Sequence, residues 1–467
     1  MANRSKKNHR DRLLQTLLER SVGEVFSPLE SFIRKQTSAA LLLVIAATIA
    51  LVLANLPLNN PIAHISEMEF GFLFSDGQFS MPLSEWINSG LMALFFFIIG
   101  LEIKRSIMAG KLHDPQNVSL IIIAAIGGMV VPGALYAMLN YGSEGAHGWA
   151  IPMATDTAFA IGVLAILATR ISAGISIFLA ALAIFDDIGA ILIIATFYTE
   201  QLHYASLLLA LIPLTLLVGV NRMGITNGFV YAILGVILWA YVHASGIHAT
   251  LAGLLLAFTV PAKTYLHQSS FIDKLRGLLD SFETSNNKTH AAMLSSESQH
   301  DLTEEMHRHM KIVSTPLQRW ELLFINPVSI IVLPLFALFN AGVVLSSDNV
   351  GRALESSVMW GIVAGLVVGK PLGIILFSYI GLKLKMGRLP EGVSMKEVVG
   401  VGMVAGVGFT MSVFITNLAF ASNPELVDSA KFGILLASIL SACIALVWLF
   451  FHSTPPEAEA MDGKRDV

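Results

Sequence analysis

The sequence predicts an all-α polytopic membrane protein with twelve transmembrane helices, and three observations carry that reading. The 467-residue chain is 55% hydrophobic and 13% charged, where soluble domains carry roughly 25% charged residues. Its mean hydropathy is +0.70, and its charges cluster, leaving apolar windows of the length that crosses a bilayer core. Numbering those windows with the N-terminus inside puts 26 of the 29 Lys and Arg residues on the inner side. A wrong span parity would scatter them.

In chain order, residues 1–37 form a basic cytoplasmic segment. Leu13, Leu14, Leu17 and Leu18 are spaced for a helix lying on the membrane surface, and a solvated tail is the alternative. The first apolar run follows this long charged leader, which does not read as a cleavable signal. Within the membrane region 38–261, spans are expected at 38–58, 84–107, 117–139, 150–170, 174–198, 203–220, 226–242 and 246–260. The run 226–260 is too long for one crossing at about 1.5 Å per residue, so His243-Ala244-Ser245-Gly246 is read as its turn. A polar cytoplasmic loop at 262–319 follows. Within 320–451, spans are expected at 322–344, 356–381, 397–420 and 429–451, and 452–467 is a cytoplasmic tail. Between spans 1 and 2, alternating Phe70, Phe72 and Phe74 precede Asp76-Gly77, the signal of a β-hairpin at about 66–82. It would be periplasmic, and its free edges suit pairing with a second copy; a plain loop is the other reading.

The chemistry concentrates at one depth. Asp186 is the midpoint of 174–198, Asp187 follows it, and Lys370 lies within two residues of the midpoint of 356–381. Asp156 falls about four residues outward of the middle of span 4. A mid-membrane charge costs roughly 3 kcal/mol on insertion scales, so such residues usually line an ion or proton path. Buried ion pairs acting only as glue between helices are the bland alternative, but three carboxylates against one amine leave surplus charge. Adjacent carboxylates repel, and desolvation favours their neutral forms, so the pair should titrate as a coupled unit. A small hard cation such as Na⁺ competes with the proton for the same oxygens. That competition is the outline of antiport.

Two spans read as interrupted. Pro152 precedes Thr155-Asp156-Thr157 in span 4; Gly402, Gly406 and Gly408 precede Phe409-Thr410 in span 11. Broken backbone at membrane depth must face protein or a watery cavity, and paired breaks in two halves mark the site of an inverted-repeat transporter. The glycines of span 11 read equally as close-packing positions. Asp156 is placed to balance positive helix ends, and Lys370 negative ones. Glu102 is a candidate entrance or sensing carboxylate, while snorkelling accounts for Lys104 and Arg105. His248 is a candidate for pH response, or a packed histidine near a span end.

The segments GLEIKRS (100–106), ATDTAFAIGVLA (154–165), ALAIFDDIGAI (181–191), SGIHATLAG (245–253), LPLFALFNAGV (333–343), VGKPLGI (368–374) and GFTMSVFITNLAF (408–420) resemble the NhaA family of bacterial sodium/proton antiporters, across nearly all spans and in order. The resemblance implies an electrogenic inner-membrane exchanger, both termini cytoplasmic, that expels Na⁺ or Li⁺ for more than one H⁺. It implies that spans 4 and 11 cross as broken helices. By motif match it assigns the ion and proton positions to Asp186 and Asp187, both as Na⁺ ligands, with Thr155 and Asp156 beside them. Lys370 takes the family's membrane lysine, and a homodimer forms through the hairpin. The chain departs from well-studied members at Ser106, where they carry a glutamate, and before span 9, where they carry histidines and this chain has Glu321-Leu322-Leu323-Phe324. Those positions are tied to pH sensing, so Glu321 joins Glu102, Arg105 and His248 as pH-response candidates.

No cofactor is expected beyond the transported ions, and no nucleic-acid partner, because no basic stripe interleaved with aromatics is present. The competing transport reading is another cation-coupled carrier of an organic substrate; the shortage of aromatic and Arg residues at site depth argues against it. An enzyme is not expected: no GxGD signature is present, and Asp186-Asp187 lacks a further Asp four residues on that would make a membrane DxxxD cluster.

Overall fold

The computed structural model describes residues 39–56, 61–74, 77–109, 115–168, 170–199, 202–262, 277–278, 305, 315–390 and 393–453. The expected N-terminal segment, most of the 262–319 loop and the tail lie outside the described residues. The fold is mostly helical with one two-stranded sheet. Among the described residues, seven helices are long and apolar enough to cross a membrane, or nine if each of two bent pairs is one span. Three shorter apolar helices accompany them. The shortest has 10 residues, about 15 Å at 1.5 Å per residue, half of a bilayer core.

The chain divides into two compact units. The first holds residues 1–88, 113–198 and 329–467. It begins with α1 (Ala39–Ala54) and the short α2 (Pro61–Ser66). Strands β1 (Glu69–Phe74) and β2 (Gly77–Pro82) then pair antiparallel, Phe70 opposite Met81 and Phe72 opposite Phe79. The expected hairpin is therefore present. Trp86 donates its indole N–H to the Phe70 carbonyl at 2.9 Å, tying β1 to the first turns of α3 (Leu83–Met108).

Helix α4 (Pro115–Leu139) leads to a 3-10 helix, Glu144–Met153, and then to α5 (Thr157–Ile166). The last two meet at a 49° bend. The span is therefore longer than the 150–170 expected, because Gly145, His147 and Gly148 read as loop but wind as 3-10 helix. The break falls at 154–156, which places Asp156 at the junction of the two helices. Helix α6 (Ala173–Phe197) follows. The second unit holds residues 89–112 and 199–328, with α7 (Tyr204–Arg222), α8 (Gly228–Ala244) and α9 (Thr250–Thr259). Helix α10 (Pro316–Asn340) starts at a capping box of Thr315 and Gln318. Its first turns, with Gln318 and Arg319, fall where the end of the polar loop 262–319 is expected.

The chain finishes in the first unit with α11 (Ser347–Glu355), α12 (Ser357–Lys383), and α13 (Met395–Ala405) and α14 (Phe409–Ala419), which meet at a 47° bend. Helix α15 (Pro424–His452) closes it.

Apolar burial against lipid gives little drive for helix association, so close packing has to supply it. The first unit's core joins Ile121 of α4, Leu164 of α5, Phe178 and Leu182 of α6, Ile374 of α12, Val401 of α13 and Leu449 of α15. Its tightest seam is glycine on glycine: a Cβ on Gly127 would lie 2.4 Å from the Gly373 carbonyl oxygen, and one on Gly373 2.1 Å from that of Gly127. Backbones of α4 and α12 thus touch. The second unit packs Phe97 and Leu101 with Leu217, Tyr231, Leu238 and Leu317.

Candidate functional site

The two bends of the first unit are hydrogen-bonded to each other. Pro152 and the β-favouring Thr155 stop the helical ladder after Met153, leaving 154–156 extended. Gly406 and Gly408 bracket the second break. A Cβ on Gly408 would lie 3.2 Å from the Ala154 carbonyl oxygen, so glycine lets the breaks approach. The Asp156 amide donates to the Val407 carbonyl at 2.8 Å, and the Ser412 hydroxyl donates to the Ile151 carbonyl at 2.9 Å. Gly402 instead lies inside α13 against Pro371, a Cβ there falling 3.2 Å from Pro371 Cα. The span-11 glycines thus serve both expected uses.

Asp156 is buried at this crossing. One carboxylate oxygen accepts from the Phe159 amide at 2.9 Å, capping α5. The other accepts from the Thr410 amide at 3.0 Å and the Thr410 hydroxyl at 2.6 Å, at the start of α14. One negative charge therefore faces the positive ends of two half-helices, the favourable sign for each.

Asp186 comes from α6 and Lys370 from α12, and both side chains are fully buried with Lys370 Nζ 2.8 Å from Asp186 Oδ2. Lys370 follows directly on a π-helical turn, Ala364–Gly369, a local widening of the helix often found at functional positions. Its Nζ also donates to the Met153 carbonyl, the last residue of the 3-10 helix. The Thr155 hydroxyl lies 2.8 Å from Asp186 Oδ2 and 3.0 Å from the Ala405 carbonyl oxygen, and its single proton serves one at a time. Asp186 Oδ1, by contrast, is buried without a hydrogen-bond partner among the described residues. It faces Gly128 of α4, whose absent side chain leaves that approach open: a Cβ there would lie 4.0 Å from the oxygen. Asp187, next on α6, is also buried.

Chemically this is a buried, acceptor-rich cluster around one ammonium, that of Lys370. No three carboxylate, His or Cys side chains converge as a metal cage among the described residues. A bound cation would draw on one or two carboxylates completed by neutral oxygens, as suits a small ion that keeps part of its water.

A family model for Na⁺/H⁺ antiporter 1 matches residues 30–449, which takes in every residue of this site. The chain belongs to that family. Its relatives include the Na⁺/H⁺ antiporter NhaA of Sulfurimonas denitrificans, 42% identical over 93% of this chain and 97% of the relative. Another is the Na⁺/H⁺ antiporter NhaA 1 of Saccharophagus degradans, 41% identical over 92% and 93%. The NhaA of Wolinella succinogenes is 42% identical over 91% and 94%.

The remaining candidates in this family member belong to the second unit. Arg105 Nη1 pairs with Glu321 Oε1 at 2.8 Å, the carboxylate nearly buried. Lys104 donates to the Phe258 and Val260 carbonyls, each at 2.6 Å. Snorkelling to water therefore does not describe these cations: one closes an ion pair, and the other caps the negative end of α9, its favoured partner. Glu102 and His248 are half-buried, on α3 and just before α9. Sequence reasoning passed over Thr410, Gly128 and the Met153 carbonyl. Thr410 was readable as a hydroxyl beside the second break; Gly128 carried only the signal of a Gly-Gly pair in an apolar run.

Proposed function

We propose that this chain exchanges intracellular Na⁺ or Li⁺ for external H⁺, electrogenically, at Asp186 and Asp187 in the inner membrane of a bacterium. The observation that carries the reading is Asp186. One of its oxygens is held by Lys370 and Thr155, and the other is buried with its lone pairs unused. A hard cation binds through oxygens, and Asp186 Oδ1 with the Asp187 carboxylate offers them. While the Lys370 ammonium stays on Asp186, it competes with that cation. Cation entry therefore requires the ion pair to loosen and protons to leave, and cation release lets them return. The site holds one or the other, so their movements are coupled. Asp156 stays on the two helix ends and keeps the crossing neutral enough for the exchange.

The nine long or bent spans and the three shorter apolar helices would together make twelve. The two bent pairs would occupy matching places in inverted halves, both termini cytoplasmic, so that one repeat can rock against the other around a fixed site. Glu102, Arg105, His248 and Glu321 would set the pH response.

The test is cation-triggered collapse of a pre-formed pH gradient in inside-out vesicles from a host without its own antiporters. Wild type and Asp187→Asn are compared with Na⁺, Li⁺ and K⁺ from pH 6 to pH 9. Collapse by Na⁺ or Li⁺ in the wild type, and none in the variant, is the expected result. An inserted wild-type protein indifferent to every cation would sink the proposal and favour a carrier of another substrate.

A further inference from the structure

Away from the carboxylates, the first unit holds a ladder of three side-chain amides on three different helices. Asn340, buried at the last residue of α10, uses both its amide protons: one goes to Asn88 Oδ1 at 2.8 Å and one to the Phe336 carbonyl at 2.9 Å. Its own oxygen accepts from Asn417 Nδ2 at 2.7 Å. Asn88 lies in the π-helical turn Trp86–Leu91 of α3. Asn417 lies two residues before the end of α14, the half-helix that starts at Thr410 and Asp156. With the orientation proposed above, all three positions are at the outer ends of their helices. Next to them on α14, Thr416 is fully buried and its hydroxyl turns back on its own helix, to the Ser412 carbonyl.

The placement is costly if it only holds helices together. Amides in hydrocarbon surroundings must find partners, and apolar side chains at these ends would pack without that demand. Hydrogen bonds between side chains are, however, the contacts that two alternative arrangements can make and break at nearly equal free energy, since each amide in a wetted opening finds water instead. The ladder joins the outer half of the broken span to α3 and α10, and the outer half is what must part from its neighbours for the carboxylates to face outward.

We propose that Asn88, Asn340 and Asn417 form an outer latch, closed in this structure, which opens to connect the ion site with the external side. The inference rests on the exchange reading for its purpose, and its test does not depend on transport. Loss of one interhelical hydrogen bond in a bilayer shifts a two-state equilibrium by about threefold, and by roughly tenfold for strong ones.

The sole cysteine, the exposed Cys443, is first replaced in a Cys443→Ala background. Thr416→Cys then reports opening, through the rate of labelling by a membrane-impermeant maleimide from the outside of right-side-out vesicles. Adding Asn340→Ala should raise that rate by about three- to tenfold, and Asn417→Leu, which breaks a single link, should raise it less. Val398→Cys, on fully buried α13 backbone toward the inner side, should label no faster in inside-out vesicles. Unchanged Thr416→Cys labelling in inserted Asn417→Leu protein overturns the latch, whether or not Asn340→Ala folds. Faster labelling at both reporters also overturns it, because that is general loosening. If labelling rises only at Thr416→Cys while no cation collapses a pH gradient, the latch stands and the exchange reading falls.

Discussion

Asp156 is one carboxylate shared by two helix starts, and its geometry fixes what a substitution can do. Asparagine in its place can still cap α5 through its oxygen to the Phe159 amide. Its NH₂ then meets the Thr410 amide, donor against donor, where the carboxylate had accepted. A buried donor left without an acceptor costs about 1–3 kcal/mol. Asp156→Asn should therefore lower the unfolding midpoint of the purified protein. Thr410→Val should cost less, because it removes the hydroxyl bond and keeps the amide bond. The two residues share one network, so the double variant should be non-additive, with a coupling of about 0.5–3 kcal/mol. Additive midpoints would mean the carboxylate does not bind the two half-helices as a unit.

Among the elements, the seam of α4 and α12 positions the lysine. Lys370 reaches Asp186 only because α12 lies backbone-to-backbone on α4, and that contact exists only where both partners are glycine. Alanine at Gly127 would put its methyl 2.4 Å from a carbonyl oxygen that cannot swing away. Overpacking of this kind costs about 1–3 kcal/mol, and part of it would appear as a displaced α12. Gly127→Ala and Gly373→Ala should each insert, unfold at lower temperature, and exchange far more slowly than wild type. A Gly373→Ala protein with wild-type midpoint and rate would refute the seam's role in placing Lys370. This level also shows where sequence reading reaches and stops. Asp186 and Lys370 were legible because charge in an apolar run has no local explanation. The breaks were legible from Pro152 and the Gly406–Gly408 pair, because both residue types weaken a helical ladder. The start of the first broken span was not, since a 3-10 helix carries no 3.6-residue pattern. Nor was the Gly127–Gly373 seam, because a glycine's partner lies on another helix and leaves no mark in its own segment. The Asn340 ladder was hidden for the same reason: its two links between helices join residues separated by 77 and 252 positions.

For the whole molecule, the two-stranded sheet poses the open structural demand. Strands of six residues on each side make a hairpin, and an isolated hairpin is marginal in water; three or more strands, or a covering helix, are needed for stability. Among the described residues the sheet has two unpaired edges, which native proteins usually cover. It is tied to its own chain by the Trp86 indole on the Phe70 carbonyl and by the Leu83 amide on the Met68 carbonyl, each at 2.9 Å. Phe70 stays half-exposed. A second copy would resolve this by adding its own hairpin along one edge into a four-stranded sheet, the mode by which strands add to strands. Hairpins this short cannot bury the roughly 1,000 Å² of a stable interface alone, so helix contacts would supply the rest, and the hairpin would act as the specific clasp. Replacing residues 69–82 by a short Gly-Ser linker should convert a dimer to a monomer in native mass spectrometry from detergent. Asp156, Asp186, Asp187, Lys370 and the two breaks all lie outside the deleted segment, so the monomer should still collapse a pH gradient on addition of Na⁺. A dimer that survives the deletion would place the interface elsewhere. A monomer that no longer exchanges would mean the second copy contributes to the ion site itself.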